Sequence, residues 1–471
     1  MGTPRGTRPK RVTLLLLLAV LGIGLGGGTA HADGAPSGAD IQIAQTLGAR
    51  ELTVIIRRVD TTPSPLRVDV VTHRGTAPGT LHLTAAAGGV VTSRGDVVLG
   101  AETGVYAGSL QVDKPGPWEL ALSDGTGLPA TIPFIVPARV VPPWERATYG
   151  GFVAAGVFLL IALVVGVRAK RTAFALVPAG GAVAALAVAV TGALLSASTP
   201  PPPAPGSQLD PTFDNVTDPY ANARLSTVDY SRPPVNLAVH AERAELKLSF
   251  ADGATGRPVD DLLIHDNALV HLVLVSPSGR MSHLHPVRVG PGDYRVRVAD
   301  PEPGAYAVAA ELVRRGGGVQ LVRSTVDMAG TAAPAPEPTG AGPRTVDGTP
   351  VDLTVTPGSP TTVTAHFRNQ DLQPWLGMLG HLIIAGPITG PDVGAAAATA
   401  PTWAHVHAMV PPVTGQLDRP DETVAAYGPD VGFTYTFAAP GRYRIWLQAE
   451  RGYQVLTVPA VVDVPTTGAG R

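Results

Sequence analysis

Seven of the twelve histidines fall into two matched groups: His265, His271, His283 and His285, then His381, His405 and His407. His271-Leu272-Val273 corresponds to His381-Leu382-Ile383, and His283-Leu284-His285 to His405-Val406-His407. In a β-strand, residues i and i+2 point to one face, so each H-x-H pair shares a side. Ser276-Pro277-Ser278-Gly279 has the composition of a tight turn between the strand through His271 and the strand through His283. A hairpin there places His271 opposite Leu284 or His285, according to a one-residue choice of register, and the second option gathers three imidazoles on one face.

Imidazole clusters of this kind suit divalent zinc or copper, and Met281, Met378 and Met409 lie near enough in sequence to add soft sulfur. With no cysteine in the chain, thiolate copper centres, zinc ribbons, iron–sulfur clusters and disulfide scaffolds are excluded. The metal set is therefore His271, His283, His285, His381, His405 and His407, with His265 and the three methionines as additional candidates. An equally open account has these histidines bracing the strands through separate hydrogen bonds. His240 and His366 stand singly and are assigned structural or surface roles.

Other chemistry is sparse. The sequence has no nucleophile elbow, H-E-x-x-H helix, P-loop or dinucleotide fingerprint. Ser282 adjoins His283 but falls on the opposite strand face, which argues against a Ser–His pair. Glu311 and Asp266 are the acids nearest the cluster in sequence terms, either as partners orienting an imidazole or as surface charges. No catalytic role is expected.

The elements that must hold these residues are β-strands. Gly and Pro together are 55 and 47 of 471 residues, a content that favours many short strands joined by turns. Alternating, β-branched runs fill 33–143, 233–328 and 345–464, in keeping with about three domains at ~150 residues each. Each contains one shared punctuation near its end: Pro115-Gly116-Pro117-Trp118, Pro303-Gly304-Ala305-Tyr306 and Pro440-Gly441-Arg442-Tyr443. Pro-Gly supplies a tight turn and the aromatic anchors the next strand in a core. The expected class is mainly β: three immunoglobulin-like sandwiches plus a two-helix transmembrane hairpin. A Pro-rich spacer at 199–232, a linker at 329–344 and a tail at 465–471 separate or end them.

The first 32 residues have the pattern of a signal peptide, with Arg5, Arg8, Lys10 and Arg11 before an apolar run and Ala30-His31-Ala32 as a cleavage site. Two uncharged stretches, 149–167 and 174–195 within 144–198, are each long enough to cross a bilayer core. Arg168, Lys170 and Arg171 between them place the 168–173 loop in the cytoplasm, and so both large segments on the extracytoplasmic side of the cytoplasmic membrane. Neither span carries an ionisable residue, so the pair reads as an anchor. Thirty-five basic against 37 acidic residues leave no electrostatic footprint for nucleic acid.

His265 to Val273 followed by Met281-Ser282-His283-Leu284-His285-Pro286 resembles the H-x5-H-L … H-[LV]-H-P motif of uncharacterised exported bacterial proteins of actinobacterial type. Leu376 to Leu382 followed by Trp403-Ala404-His405-Val406-His407 is similar to a companion copy, departing from it at Ala408 in place of Pro and at Trp375 in place of His265. The departure at Trp375 puts an equivalent fourth ligand in the later copy in doubt. The first segment resembles, more loosely, the YtkA-like and CopC-like periplasmic modules. These resemblances imply sandwich folds and an association with copper handling in bacterial envelopes, and no activity. Two accounts follow: a membrane-anchored protein binding copper or zinc for storage, delivery or tolerance, or an envelope protein whose tandem sandwiches bind a protein partner.

Overall fold

Alternation of apolar and polar residues produces strands through most of the chain, in a computed structural model that describes residues 40–136 (except 58 and 60), 143–169, 171–196, 232–368, 371–410 and 422–466. The proposed signal peptide, nearly all of the Pro-rich spacer and the last five residues lie outside the described set. All described residues fall within one unit, Pro36–Arg471.

The first segment contains β1 (Ile41–Leu47), β2 (Arg50–Ile56), β3 (Ser64–Thr72), β4 (Gly79–Ala87), β5 (Val90–Leu99), β6 (Gly104–Val112), β7 (Gly116–Ser123) and β8 (Ala130–Val136). They form two antiparallel sheets, ordered β1-β2-β3-β6 and β5-β4-β7-β8. Two apolar helices follow, α1 (Pro143–Arg168) and α2 (Leu176–Ser196), joined by a 3-10 turn over Thr172–Ala175. Both are long and apolar enough to cross a membrane.

Beyond them lie β9 (Val235–Glu242), β10 (Glu245–Asp252), β11 (Leu262–Leu263), β12 (Val270–Val275), β13 (Met281–Leu284), β14 (Val287–Gly290), β15 (Asp293–Arg297), β16 (Gly304–Arg314) and β17 (Gly318–Met328). Their sheets run β14-β15-β10-β9 and β11-β16-β12-β13, with β17 on the flank of β16. The last segment has β18 (Gly342–Val346), β19 (Thr349–Thr356), β20 (Thr361–His366), β21 (Met378–Gly386), a short helix α3 (Val393–Ala398), β22 (Thr402–Met409), β23 (Asp430–Tyr435), β24 (Gly441–Arg451) and β25 (Gln454–Val464). Its sheets are β18-β19-β20-β23 and β22-β21-β24-β25.

One four-strand pattern thus occurs three times. The pairings β5-β4-β7-β8, β13-β12-β16-β17 and β22-β21-β24-β25 follow the same connectivity. In each, the shared Pro-Gly turn starts the third strand, with Gly116, Gly304 and Gly441 at φ of 123, 125 and 137°, where a Cβ is disfavoured. The aromatic two residues on is buried and tied to the backbone four residues upstream. Trp118 Nε1 donates to Lys114 O at 2.9 Å, the Glu302 N–H donates to Tyr306 Oη at 2.7 Å, and Tyr443 Oη donates to Ala439 O at 2.9 Å.

β12 is buried on both faces, and this positions the histidines. Val270, Leu272 and Leu274 enter the core shared with the opposing sheet, while Val273 and Val275 pack with Met281 and Ala307 against Ile383, Ala385 and Trp446 of the last segment. The two histidine-bearing sheets therefore meet face to face, with aliphatic side chains at one end and His271 and His381 at the other. Trp446 Nε1 donates to Gly279 O at 3.0 Å, and Val393 N donates to Pro277 O at 2.8 Å, which pins α3 to the turn of the facing hairpin. Asp392 caps that helix through the Ala395 N–H at 2.9 Å. A Cβ at Gly394 would lie 2.2 Å from the Ala305 carbonyl, so the close approach of α3 to β16 requires glycine there. The Ala/Pro/Gly linker is itself docked: Ala335 N donates to Ser278 Oγ at 2.8 Å and Arg444 holds Glu337 at 2.6 Å.

The first segment closes over this junction. Ala44 N donates to Asn267 O at 2.7 Å and Thr46 N to His285 O at 2.8 Å, while His285 N donates to Thr46 Oγ1 at 2.8 Å. Arg288, buried, links Asp260 to Glu119 and Thr131 of the first segment at 2.6–3.0 Å.

Candidate metal centre

Register decides which imidazoles meet. β12 pairs with β13 so that Leu272 faces Leu284 and Val273 faces His283, which sets His271 opposite His285. In the later copy His381 pairs directly with His407, and Ile383 with His405. Each hairpin follows a matched turn. His265 and Ala268 exchange backbone hydrogen bonds of 2.9 and 3.0 Å around Asp266 and Asn267; Trp375 and Met378 do the same at 2.8 and 3.0 Å around Leu376 and Gly377. All four central residues have positive φ.

His271, His283 and His285 form one triad and His381, His405 and His407 another, each with one ligand atom per residue lying within 4.8 Å of the others. Because the two sheets face each other, the triads also touch. The His283 ring lies 5.1 Å from that of His405 and 5.5 Å from that of His381, between centroids, and His271 lies 5.7 Å from His405. Trp375 stands edge-on to His283, His285 and His381 at 5.0–5.8 Å.

Outer hydrogen bonds orient these rings. His271 Nε2 donates to the carbonyl of His265 at 3.0 Å, so the neutral ring turns its bare Nδ1 inward. His283 Nδ1 donates to Gln448 Oε1 at 3.0 Å, with that amide fixed by its own 2.9 Å bond to Thr457 Oγ1. His285 Nδ1 bonds Glu51 Oε1 at 2.6 Å, His405 Nδ1 bonds Glu311 Oε2 at 3.3 Å, and His407 Nδ1 lies 3.6 Å from Asp266. Nε2 of His285, His405 and His407 and both nitrogens of His381 are buried with no hydrogen-bond partner. Nitrogen lone pairs thus converge, while carboxylates and amides stay on the outside.

These supports cross between segments in a reciprocal way. Glu311 pairs across the ladder with His271, and Gln448 holds the corresponding place opposite His381. Yet Glu311 bonds His405 of the later sheet, and Gln448 bonds His283 of the earlier one. Such an exchange is what a local two-fold relation between duplicated sheets produces.

Burial pushes His271, His283 and His381 well below the usual imidazole range, and neighbouring histidines push them further down. His407 is lowered to about 4 by burial and by His405. Burial alone would raise Glu51, but the interaction with His285 outweighs it and holds the carboxyl below its ordinary value. Glu311 is likewise held down, burial opposing and His405 prevailing. Four of the six imidazoles are therefore neutral at neutral pH, the protonation state in which a ring nitrogen binds a metal.

The donor set fits an imidazole-binding ion such as zinc or copper. Of the methionines, Met281 packs in the aliphatic interface, Met378 ends the turn beside Trp375, and Met409 is exposed. His265 contributes its carbonyl, while its ring Nε2 pairs with Asp266 at 3.1 Å. His240 lies in the edge strand β9, and His366 pairs with Asp430 at 2.7 Å at the surface.

Glu51 and Gln448 lack any local sequence signal, because their partners are more than 150 residues away, 234 and 165 positions respectively. A second buried polar site was equally silent. His73 Nδ1 bonds Glu450 at 2.6 Å and its Nε2 meets Thr53 Oγ1 at 3.1 Å, which joins the first segment to the last. Burial would lower this imidazole, but Glu450 raises it to about 9.

A family profile described as a domain of unknown function, DUF8832, matches residues 344–466. No curated protein matches the chain. Among solved structures, a tetra-tandem repeat from the extending region of a large adhesion protein is similar at 12% identity and TM-score 0.15, covering 90% of this chain and 74% of that one. A two-domain fibronectin type-III segment from chicken tenascin matches at 10% identity and TM-score 0.14, covering 50% and 99%. Latent PorU from Porphyromonas gingivalis matches at 10% identity and TM-score 0.14, covering 91% and 34%. Neither YtkA-like nor CopC-like membership finds support in these matches.

Proposed function

We propose that this chain is a membrane-anchored, extracytoplasmic metal-binding protein that handles copper or zinc, copper being favoured, in storage, delivery or tolerance. The observation that carries the proposal is the inward convergence of six imidazoles, four of which have an outer nitrogen held by a hydrogen-bond acceptor. Bracing alone would pair each ring separately and leave no shared inner face. Its three sheet pairs act as immunoglobulin-like sandwiches that bring the two triads and Glu51 together, and no catalytic step is assigned to them. The helical hairpin is the anchor. Contacts between 40–136 and the residues beyond 232 support placing both flanks on one side of the membrane. Arg168 and Arg171 favour a cytoplasmic connecting loop.

The test is calorimetric titration of the full chain in detergent with Cu(I), Cu(II) and Zn(II), beside a His283→Ala/His285→Ala variant. Saturable binding that the variant weakens is expected. Absence of binding by the folded wild type would refute the metal reading and leave an envelope protein that recognises a protein partner. Orientation is checked on the same cysteine-free background by introducing Ala169→Cys or Val98→Cys. Only the second should react with an impermeant thiol reagent added outside cells.

A further inference from the structure

The spacing between the triads matches the spacing within them. Ring centroids inside a triad are 4.6–5.5 Å apart, and across the boundary they are 5.1–5.7 Å apart. Acceptors hold the outer nitrogens of His271, His283, His285 and His405, and Asp266 stands 3.6 Å from that of His407, so the inner ligand shell is made of imidazoles alone. We propose that the six histidines form a single dinuclear centre that takes two monovalent copper ions, one per triad. This rests on the metal reading above and specifies its ion and stoichiometry.

The first of three features points to a bound cation, and the other two to that ion. His271 Nδ1 and His283 Nε2 stand 3.3 Å apart, and with their outer nitrogens protonated both inner atoms carry lone pairs. A cation resolves that contact: two nitrogens ~2.05 Å from a common ion and 3.3 Å apart subtend about 107° at it. Charge is the second feature. Repulsion scales with the product of the charges, so two divalent ions in neighbouring triads repel four times as strongly as two monovalent ones. The inner shell supplies no carboxylate to offset that repulsion. Coordination number is the third. Each triad offers three nitrogens, one short of the four ligands that a closed zinc site takes. Monovalent copper accepts three ligands without a fourth.

Full-length protein in detergent micelles is titrated anaerobically with Cu(I) against a competing chelator, and separately with Zn(II). The wild type should bind two equivalents of Cu(I) with affinities within about tenfold of each other. Zn(II) should bind once tightly and a second time at least about a hundredfold more weakly, because of the charge term. His283→Ala and His405→Ala, each leaving one triad intact, should bind one Zn(II) with similar affinities, which assigns the weak second zinc to interaction between sites. Circular dichroism checks folding, and Asn replaces Ala if an alanine variant fails it. One equivalent of Cu(I), two equally tight equivalents of Zn(II), or variants whose unequal affinities account for the zinc difference would each overturn the dinuclear cuprous assignment. A folded wild type that binds no ion would instead overturn the metal reading beneath it.

Discussion

His73 gives the most direct test of the electrostatics that join the first segment to the last. Its imidazole is 3% exposed and bonded to Glu450 at 2.6 Å, and it titrates at about 9 against an ordinary 6.5. A histidine raised in the folded state binds protons more tightly folded than unfolded. Its contribution is full below the unfolded value of 6.5 and is lost as pH rises through the folded value. With folded and unfolded values of about 9 and 6.5, linkage gives about 3 kcal/mol at pH 6, about 2 at pH 7.5 and almost nothing at pH 9.5. Glu422 acts in the same sense, since burial and Glu450 raise its carboxyl. The assay is urea unfolding of the metal-free full chain in detergent, followed by tryptophan fluorescence from pH 6 to 9.5. The stability difference between wild type and a His73→Gln variant should fall by about 3 kcal/mol over that range, the depressed cluster histidines, which oppose it between pH 6 and 7.5, cancelling in the difference. A change in that difference of less than about 1 kcal/mol would refute the assignment of a protonated, paired His73.

Acid should act through the histidine cluster instead. His407 is depressed to about 4, so the unfolded chain gains the proton first; this group alone should cost metal-free protein about 2 kcal/mol by pH 5, with His271, His283 and His381 adding in the same direction, a loss that bound metal removes; denaturation of both forms from pH 7 to 4.5 checks this. Glu51→Gln should lower metal affinity by about 10–100-fold while circular dichroism is unchanged, because the Gln keeps the shape but not the charge behind His285. Gly394→Val should cost about 1–3 kcal/mol by forcing α3 away from the Ala305 carbonyl, seen as a lower urea midpoint. Trp446→Phe should cost about 1 kcal/mol at the same interface through the lost bond to Gly279 O.

What could be seen in the sequence was local. Strand parity set His283 with His285 and His405 with His407, and the alignment of Trp375 with His265 corresponds to two superposable turns. The Pro-Gly-x-aromatic repeat marks the same strand in three sheets, since its glycine must reach positive φ. Register lay beyond parity: both pairings offered for His271 satisfy the alternation, and packing of Leu272 in the core selects the one with His285. Merging the triads also lay out of reach, because it depends on Val273 and Val275 meeting Ile383 and Ala385 across two sheets. Nothing local distinguishes an alternation that lines a core from one that lines an interface.

The order of manufacture gives the helical hairpin a further consequence. Glu51 is synthesised before α1 and α2, whereas the histidines and Gln448 follow them, so the pocket has no complete set of walls until the ribosome has passed the last sheet. A chain halted after β17 would present His271 and His283 beside an uncovered strip of Val273, Val275 and Met281. Such a product is both poor at holding an ion and apolar on its surface, a combination that invites removal by proteases and chaperones. Under the proposed function, ion loading is thereby confined to finished molecules.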